Sequence, residues 1–252
     1  MIITVVTPTL NGAAYLRECI ASVKRNHHPS YAVDHVIVDA GSTDGTVEIA
    51  RENGLRIIQG KDQGIFDAIN KGSFNSDGDL LGFLGADDIM LDGALLEIAT
   101  LYRASRPGWI VGGIRWIGER GEDLGSLAAP PHWMTPRIHA CLGWNPIMHM
   151  STYFSRELFM ALGGFNIAYK DAGDYELFAR ALSRQPYGRI DKPLTCFRRT
   201  RVNNSVVNAE RAGAEARAVL KAWFNLRNPR WLAVKASTAV RLRLDPALPN
   251  YF

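Results

Sequence analysis

The sequence predicts an α/β fold: a mostly parallel sheet flanked by helices, with a helical extension at the C-terminus. Three observations carry that reading. Short β-branched runs alternate with helical repeats through the first 108 residues. The connections between them are short, as expected when strands run parallel with helices on both faces. Acidic residues collect at the carboxyl ends of the runs, where open parallel sheets receive their ligands. With 252 residues, 47% hydrophobic and 21% charged, the chain can bury the core of one large domain.

The elements follow in order. IITVVT (2–7) is a β-branched run that meets Pro8, and NGAAYLRECIASVKRN (11–26) repeats Leu16, Ile20 and Val23 at a helical period. HVIVD (35–39) is a second strand, closed by GSTDGT. TVEIARENG (46–54) is a helix stopped by Gly54. RIIQG (56–60) and IFDAINKGSF (65–74) give the third strand and helix; LLGFLG (80–85) and DGALLEIATLYRAS (92–105) give the fourth. From about residue 109 the rhythm changes. WIVGGIRWIG (109–118) enters a hairpin, and PPHWMTPRIHACLGWNP (130–146) has no period and reads as a loop or lid. MSTYFSRELFMALGGF (150–165) carries a strand and a helix ended by Gly163-Gly164. DYELFARALSRQ (174–185) is a helix, RIDKPLTCFRR (189–199) a late strand, and the tail one or two helices. The expected organisation is a domain over 1–205, divided at 108/109, and a tail over 206–252.

Composition excludes several classes. Cys19, Cys141 and Cys196 are odd in number and widely spaced, which excludes a disulfide framework or a CxxC metal site and points to a reducing compartment. MIITVVTPTLNG lacks a basic leader region, and no apolar run approaches the roughly 18 residues that span a bilayer. The expected location is cytoplasmic, or peripheral on the inner face of a membrane. The net charge of +4 is concentrated in the tail: residues 206–245 hold eight bases against three acids. The rest is near neutral, so no nucleic-acid partner is expected.

At the predicted strand ends the candidate acids are Asp39, then Asp62 and Asp67, then Asp87 and Asp88. Asp39 reads equally as a turn acid, and Ser42, Thr43 and Asp44 read first as helix caps, as does Asp92 after the Asp pair. Two adjacent acids converging on a crevice suit a divalent cation with a diphosphate, since Mg²⁺ takes one or two carboxylates plus phosphate oxygens. GxGxxG and GxxxxGK[ST] are both absent, which counts against a dinucleotide dehydrogenase and a P-loop NTPase.

Four stretches in this order, TVVTPTLNGAAYL, VIVDAGSTDGTVEIA, KDQGIFDAINKG and GDLLGFLGADDIML, resemble family 2 glycosyltransferases of the GT-A fold, in particular the bacterial exopolysaccharide, capsule and O-antigen type. The likeness covers roughly residues 1–200. It implies that Pro8, Thr9 and Asn11 line a base pocket and that Asp39 contacts base or ribose. It places Asp62, Asp67 and Asn70 beside the nucleotide-sugar, and makes Asp87 the metal-binding acid with Asp88 as support. HMSTYFSRELFMALGGFNIAYKDAGDYELFARAL resembles the acceptor half, with Asp174 as catalytic base and His149 as an acceptor-site candidate or a packed histidine. Two departures stand out: Ala40 replaces a second acid after Asp39, and Gly85 replaces the first acid of a strict DxD, which implies metal binding that depends on the donor.

The implied reaction is inverting transfer of a sugar from a nucleoside diphosphate to a hydroxyl of a glycan, in this subgroup commonly lipid-linked, for cell-surface polysaccharide synthesis. Mg²⁺ or Mn²⁺ on Asp87 would stabilise the leaving diphosphate, and Asp174 would take the hydroxyl proton. The competing readings are a sugar-1-phosphate nucleotidylyltransferase, whose Gly-rich, Arg-containing loop is missing from TPTLNG, and a non-catalytic nucleotide-sugar binder. WFNLRNPRWLAVKASTAVRLRL (223–244) interleaves aromatics with bases. It reads either as an interfacial anchor on an anionic membrane or as a packed helix with a solvated basic face.

Overall fold

A computed structural model describes residues 1–142, 145–200, 203 and 207–223. Its first half is the alternation read from the sequence. Strands β1 (Ile2–Thr9), β2 (Ala32–Asp39), β3 (Arg56–Gln59) and β4 (Leu80–Phe83) are joined by α1 (Ala13–Arg25), α2 (Thr46–Glu52) and α3 (Ile65–Phe74). They lie in the order β3-β2-β1-β4, all neighbours parallel. The chain moves outward from β1 to β3, then returns to the other side of β1 for β4. The strand order therefore reverses beside β1, the kind of point at whose carboxyl ends open sheets receive their ligands.

Beyond β4 the pairing becomes mixed. The elements are β5 (Ile89–Met90), α4 (Ala94–Ser105), β6 (Trp109–Ile117), β7 (Asp123–Leu127), α5 (Pro136–Cys141), a 3-10 turn (His149–Ser151), β8 (Thr152–Ser155), α6 (Arg156–Ala161), α7 (Gly173–Arg184), β9 (Gly188–Arg198) and α8 (Ala209–Trp223). The sheet continues β8-β6-β9-β5, with β8 antiparallel to both β4 and β6, and β6 parallel to β9. β7 closes the expected hairpin on β6. The two-residue β5, which no sequence pattern announced, pairs antiparallel with β9.

Cores form on both faces of the sheet, as alternating strands require. On one, Ile3, Val5 and Leu80 meet Val23 of α1 and Leu95 and Ile98 of α4. On the other, Val6, Val36 and Leu81 meet Phe66 of α3, Phe159 of α6 and Phe178 of α7. Trp109 is fully buried there, stacked on Phe154 and Phe178 at 5.5 and 5.9 Å, with its indole N–H donated to the Gln185 carbonyl.

Two local expectations change. Asp92 does not cap α4: Gly93, left-handed at φ 80°, holds the N-cap without a side-chain bond, and Asp92 pairs with Arg25 at 2.9 Å. The segment 130–146 is not all loop, because Thr135 caps the short α5, accepting from the Ile138 N–H, with Pro136 in the first turn. The tail begins as one helix, α8, whose Val219 is buried against Ala172 and Tyr175. No helix among the described residues is long and apolar enough to cross a membrane. The expected amphipathic stretch lies, from residue 224 on, outside the described residues.

Candidate active site

The loops after β1 and β2 are laced together by the side chains of GSTDGT. Ser42 Oγ accepts the Asn11 N–H (2.7 Å), Asn11 Oδ1 accepts the Thr43 N–H (3.0 Å), and Thr46 Oγ1 accepts the Gly12 N–H (2.9 Å). Asp44 takes the N–H groups of both Ala13 and Thr46, so one carboxylate caps the first turns of α1 and α2. Asn11 turns the chain with a left-handed φ of 53°. Asp39 is fully buried. Its Oδ1 receives the Gly41 and Ser42 N–H groups at 3.0 Å and its Oδ2 the Ser42 hydroxyl at 2.5 Å, so its observed bonds all shape this turn. Thr9 beside it keeps a buried hydroxyl with no hydrogen-bond partner among the described residues, and Pro8 is half-buried. Together these loops form one pinned unit at the carboxyl ends of β1 and β2.

The segment after β3 is likewise tied. Asp62 accepts the Gly64 N–H at 2.9 Å, and Asp67 accepts the Gln63 N–H and the Lys71 ammonium, both at 2.9 Å. Burial pushes the Asp67 carboxyl up, but Lys71 and the Gln63 N–H outweigh it and hold it below its usual range. Asn70 pairs its amide with both the N–H and the carbonyl of Phe165, each at 2.8 Å. Asn70 thus mimics a strand neighbour across the seam between the two halves, and its observed bonds go to that seam. Lys170 spans the same seam, donating to the Gln63 carbonyl at 2.8 Å.

At the end of β4 the two acids fold back over Gly85. A Cβ there would lie 2.7 Å from Asp88 Oδ2 and 2.9 Å from Asp87 Oδ1, which explains why glycine stands where a first acid was looked for. Asp88 is 2% exposed and accepts the Arg198 N–H at 3.0 Å, whereas Asp87 is the more open of the two and meets the Asn203 amide at 3.3 Å. The pair is therefore unequal, with Asp88 behind. Burial raises both carboxyls above their usual range; the neighbouring Asp87 charge adds to the rise of Asp88, which reaches about 7.

Arg198, itself 2% exposed, organises this corner. Its guanidinium donates to the carbonyls of Asp87 (2.9 Å) and Glu119 (3.0 Å), pairs with Glu18 of α1 at 2.5 Å, and lies over the Tyr15 ring. Sequence reasoning missed Arg198, Glu18 and Asn203. One signal was available: along β9, Leu194, Cys196 and Arg198 alternate onto a single face, and the first two are apolar. An arginine on a buried strand face needs acceptors there.

The 3-10 turn and α7 bring His149 and Asp174 together. Asp174 is the second residue of α7 and His149 opens the 3-10 turn before β8, so His149 Nδ1 stands 3.6 Å from Asp174 Oδ2, each side chain about one-fifth exposed. Burial alone would lower the imidazole, but Asp174, with Asp88 and Asp87 beyond it, holds it above its ordinary value of 6.5. His149 thus pairs with Asp174 and lies within electrostatic reach of the acid pair. The other nearby acid, Asp171, is 5% exposed and ion-paired with Arg211 of α8.

The family model for glycosyl transferase family 2 matches residues 4–160. A PGL/p-HBAD biosynthesis glycosyltransferase of Mycobacterium tuberculosis is 31% identical over 195 residues, which cover 71% of this chain and 69% of that protein. The O-antigen biosynthesis protein RfbC of Myxococcus xanthus is 28% identical over 206 residues, 77% of this chain and 15% of its own length. Among solved structures, S. aureus TarS in complex with UDP-GlcNAc superposes with a TM-score of 0.68 at 18% identity, covering 96% of this chain and 72% of that one. The mannosyltransferase PcManGT of Pyrobaculum calidifontis, in complex with GDP-Man and Mn²⁺, gives 0.60 at 20% identity, covering 98% and 76%. At those identities the likeness speaks to the fold.

Proposed function

The chain belongs to glycosyl transferase family 2, an enzyme family that uses nucleotide-sugar donors on the GT-A fold; from that premise we propose that it transfers a sugar, with inversion, to a hydroxyl of a glycan acceptor, dividing the work between Asp87 and Asp174. The observation that carries the division is that His149 pairs with Asp174 at 3.6 Å and also feels the Asp88 and Asp87 charges, which puts the acid pair and Asp174 within electrostatic reach of one imidazole.

The donor set fits a hard divalent cation. Two carboxylates stand at a strand end, both raised by burial although nearby positive charge (Arg198 and His149 on Asp87, His149 on Asp88) pulls them down, so a cation arriving there would favour their charged forms. Among the described residues no group of three or more His, Cys, Asp or Glu could hold a metal. Asp87 is the proposed ligand and Asp88 its support, with donor oxygens filling further positions. Mg²⁺ or Mn²⁺ bound there would supply charge to stabilise a departing diphosphate. The complex of PcManGT with GDP-Man and Mn²⁺ supports this reading.

The remaining steps use the chain's own groups. Pro8, Thr9 and Asn11, held by the GSTDGT lacing, border the base. Asp39 acts there by shaping the turn, and Asp62, Asp67 and Asn70 by fixing the loops beside the sugar. Asp174 accepts the acceptor hydroxyl's proton as the new bond forms. His149 orients the Asp174 carboxylate. The pairing of Asp171 with the permanently charged Arg211 favours Asp174 over it as the base. The lipid-linked nature of the acceptor, its place in polysaccharide synthesis, and a peripheral membrane contact by residues 224–252 belong to the same proposal. Liposome flotation with and without that segment tests the contact.

A thermal-shift screen of nucleotide-sugars, each with and without Mn²⁺, tests the donor. The expected result is a Mn²⁺-dependent rise in Tm for one donor class, and slow release of its nucleoside diphosphate. No stabilisation by any nucleotide-sugar overturns the proposal.

A further inference from the structure

The tail helix reaches the loop that delivers Asp174. Residues 170–172, directly ahead of α7, aim three consecutive backbone N–H groups at one point, and the Glu215 carboxylate of α8 fills it. Its oxygens accept from Lys170 (2.9 Å), Asp171 (2.8 Å) and Ala172 (2.9 Å). Consecutive N–H groups of this kind form an anion-binding concavity, and the amino end of a helix adds positive potential to it. α7 has no cap of its own, because Ala172 at its N-cap offers no side-chain acceptor. Glu215 holds the segment that leads into α7 from another element, 43 residues away along the chain. Burial raises its carboxyl, but the three N–H groups and Arg211 outweigh this and keep it below its usual range.

Three further contacts bear on the same loop. Arg211, one turn before Glu215, pairs with Asp171. Val219, one turn after it, is buried against Ala172 and Tyr175, the residues that bracket Gly173 and Asp174. Positions 211, 215 and 219 share one face of α8 at the four-residue repeat. The loop's other side is held by Lys170, through its bonds to the Gln63 and Ile167 carbonyls.

We infer that Glu215 is a positioning residue for catalysis: from the tail helix it fixes the backbone of 170–172, and with it the direction in which α7 presents Asp174. This rests on the reading of Asp174 as the base. The tail is then a working part of the acceptor side of the site, and its engagement sets whether the base points at the acceptor. A carboxylate carried on a separate helix can also be withdrawn, so whatever displaces α8 slackens Asp174.

The test compares full-length wild type with Glu215→Ala, Glu215→Gln and, as a control on an exposed position of the same helix, Glu210→Ala. The first readout is hydrogen exchange at residues 170–174. Exchange there should rise in Glu215→Ala while β1 to β4 stay protected; unchanged exchange overturns the clamp. The second is release of nucleoside diphosphate from UDP-GlcNAc, GDP-Man and other nucleotide-sugars with Mn²⁺. Glu215→Ala should lower kcat roughly ten- to a hundredfold, as small misplacements of a reacting group do, with the donor KM within about twofold by the same reasoning. Glu215→Gln, which keeps an acceptor oxygen, should recover part of the rate, and Glu210→Ala should match wild type. A wild-type kcat in Glu215→Ala overturns the inference, as does a loss confined to KM. If wild type releases nothing from any donor, the enzymatic reading fails, and the exchange result still decides whether Glu215 holds the loop.

Discussion

Replacing Gly85 with aspartate would complete a strict DxD pattern, and the pattern alone expects tighter metal binding; the structure predicts the opposite. Any Cβ at 85 would come within 2.7 Å of Asp88 Oδ2 and 2.9 Å of Asp87 Oδ1, so both carboxylates must turn away. Asp88 would then loosen its bond from the Arg198 N–H, a hydrogen bond to a charged group worth about 1.5–3 kcal/mol. Overpacking a tight site costs about 1–3 kcal/mol more. Gly85→Ala should therefore cost about 3 kcal/mol. Gly85→Asp adds a third carboxylate roughly 4–5 Å from two others, and at an effective dielectric of about 20 each such pair repels by ~3–4 kcal/mol before protonation relieves it. Urea unfolding of the three proteins, at neutral and mildly acidic pH, separates the terms. The Asp variant should be at least about 2 kcal/mol less stable than the Ala variant at neutral pH, and the gap should narrow in acid as the charge is lost. Calorimetry should show Mn²⁺ binding weakened in both variants with UDP present. Gly85→Asp with wild-type stability and tighter Mn²⁺ binding would refute the packing described for this loop.

Other outcomes follow from the same geometry. Asp88 has a folded-state pKa above its unfolded value, so it favours the fold in acid. That contribution fades as pH rises from near 4 through about 7, on the order of 4 kcal/mol in all. Metal-free wild type should lose stability across that window in urea titrations, and Asp88→Asn should flatten the slope; parallel pH curves would contradict the buried carboxyl. The His149 imidazole should titrate above 6.5 by NMR and fall on Asp174→Asn, since burial alone lowers it; a wild-type midpoint below 6.5 would break the pairing. Asn70→Ala strands the N–H and carbonyl of Phe165 and should cost about 2–4 kcal/mol in urea unfolding. A cost below about 0.5 kcal/mol, the range of ordinary surface changes, would show that the seam does not need Asn70.

Much of this was legible in the chain because its causes are local. IITVVT, HVIVD and LLGFLG announce parallel strands by their apolar continuity, and the acids after them fall at strand ends, where open sheets receive their ligands. Asp44 reads as a cap and is one, for two helices at once. What stayed hidden depends on distant approach. Arg198 gains its meaning only when β9 returns beside β5 and α1, 180 residues after Glu18. Glu215 looks like a minor acid in a basic stretch until α8 lies across the mouth of α7. Gly85 reads as a missing ligand in the sequence, whereas in space it is the room two carboxylates need. Asn70 belongs to a motif that the family likeness implies lies beside the donor, yet its bonds run to Phe165, 95 residues on.

The division of labour between Asp87 and Asp174 is tested most directly by Asp174→Asn, with binding and turnover read on the same protein. Using the donor that stabilises wild type, calorimetry follows Mn²⁺-dependent binding of its nucleoside diphosphate, and a coupled assay follows release of that diphosphate. The predicted result is wild-type affinity, still dependent on Mn²⁺ and lost in Asp87→Ala, with turnover reduced at least about a hundredfold, as expected when a general base is removed. Normal turnover by Asp174→Asn, or loss of Mn²⁺-dependent nucleotide binding in that variant, would contradict it.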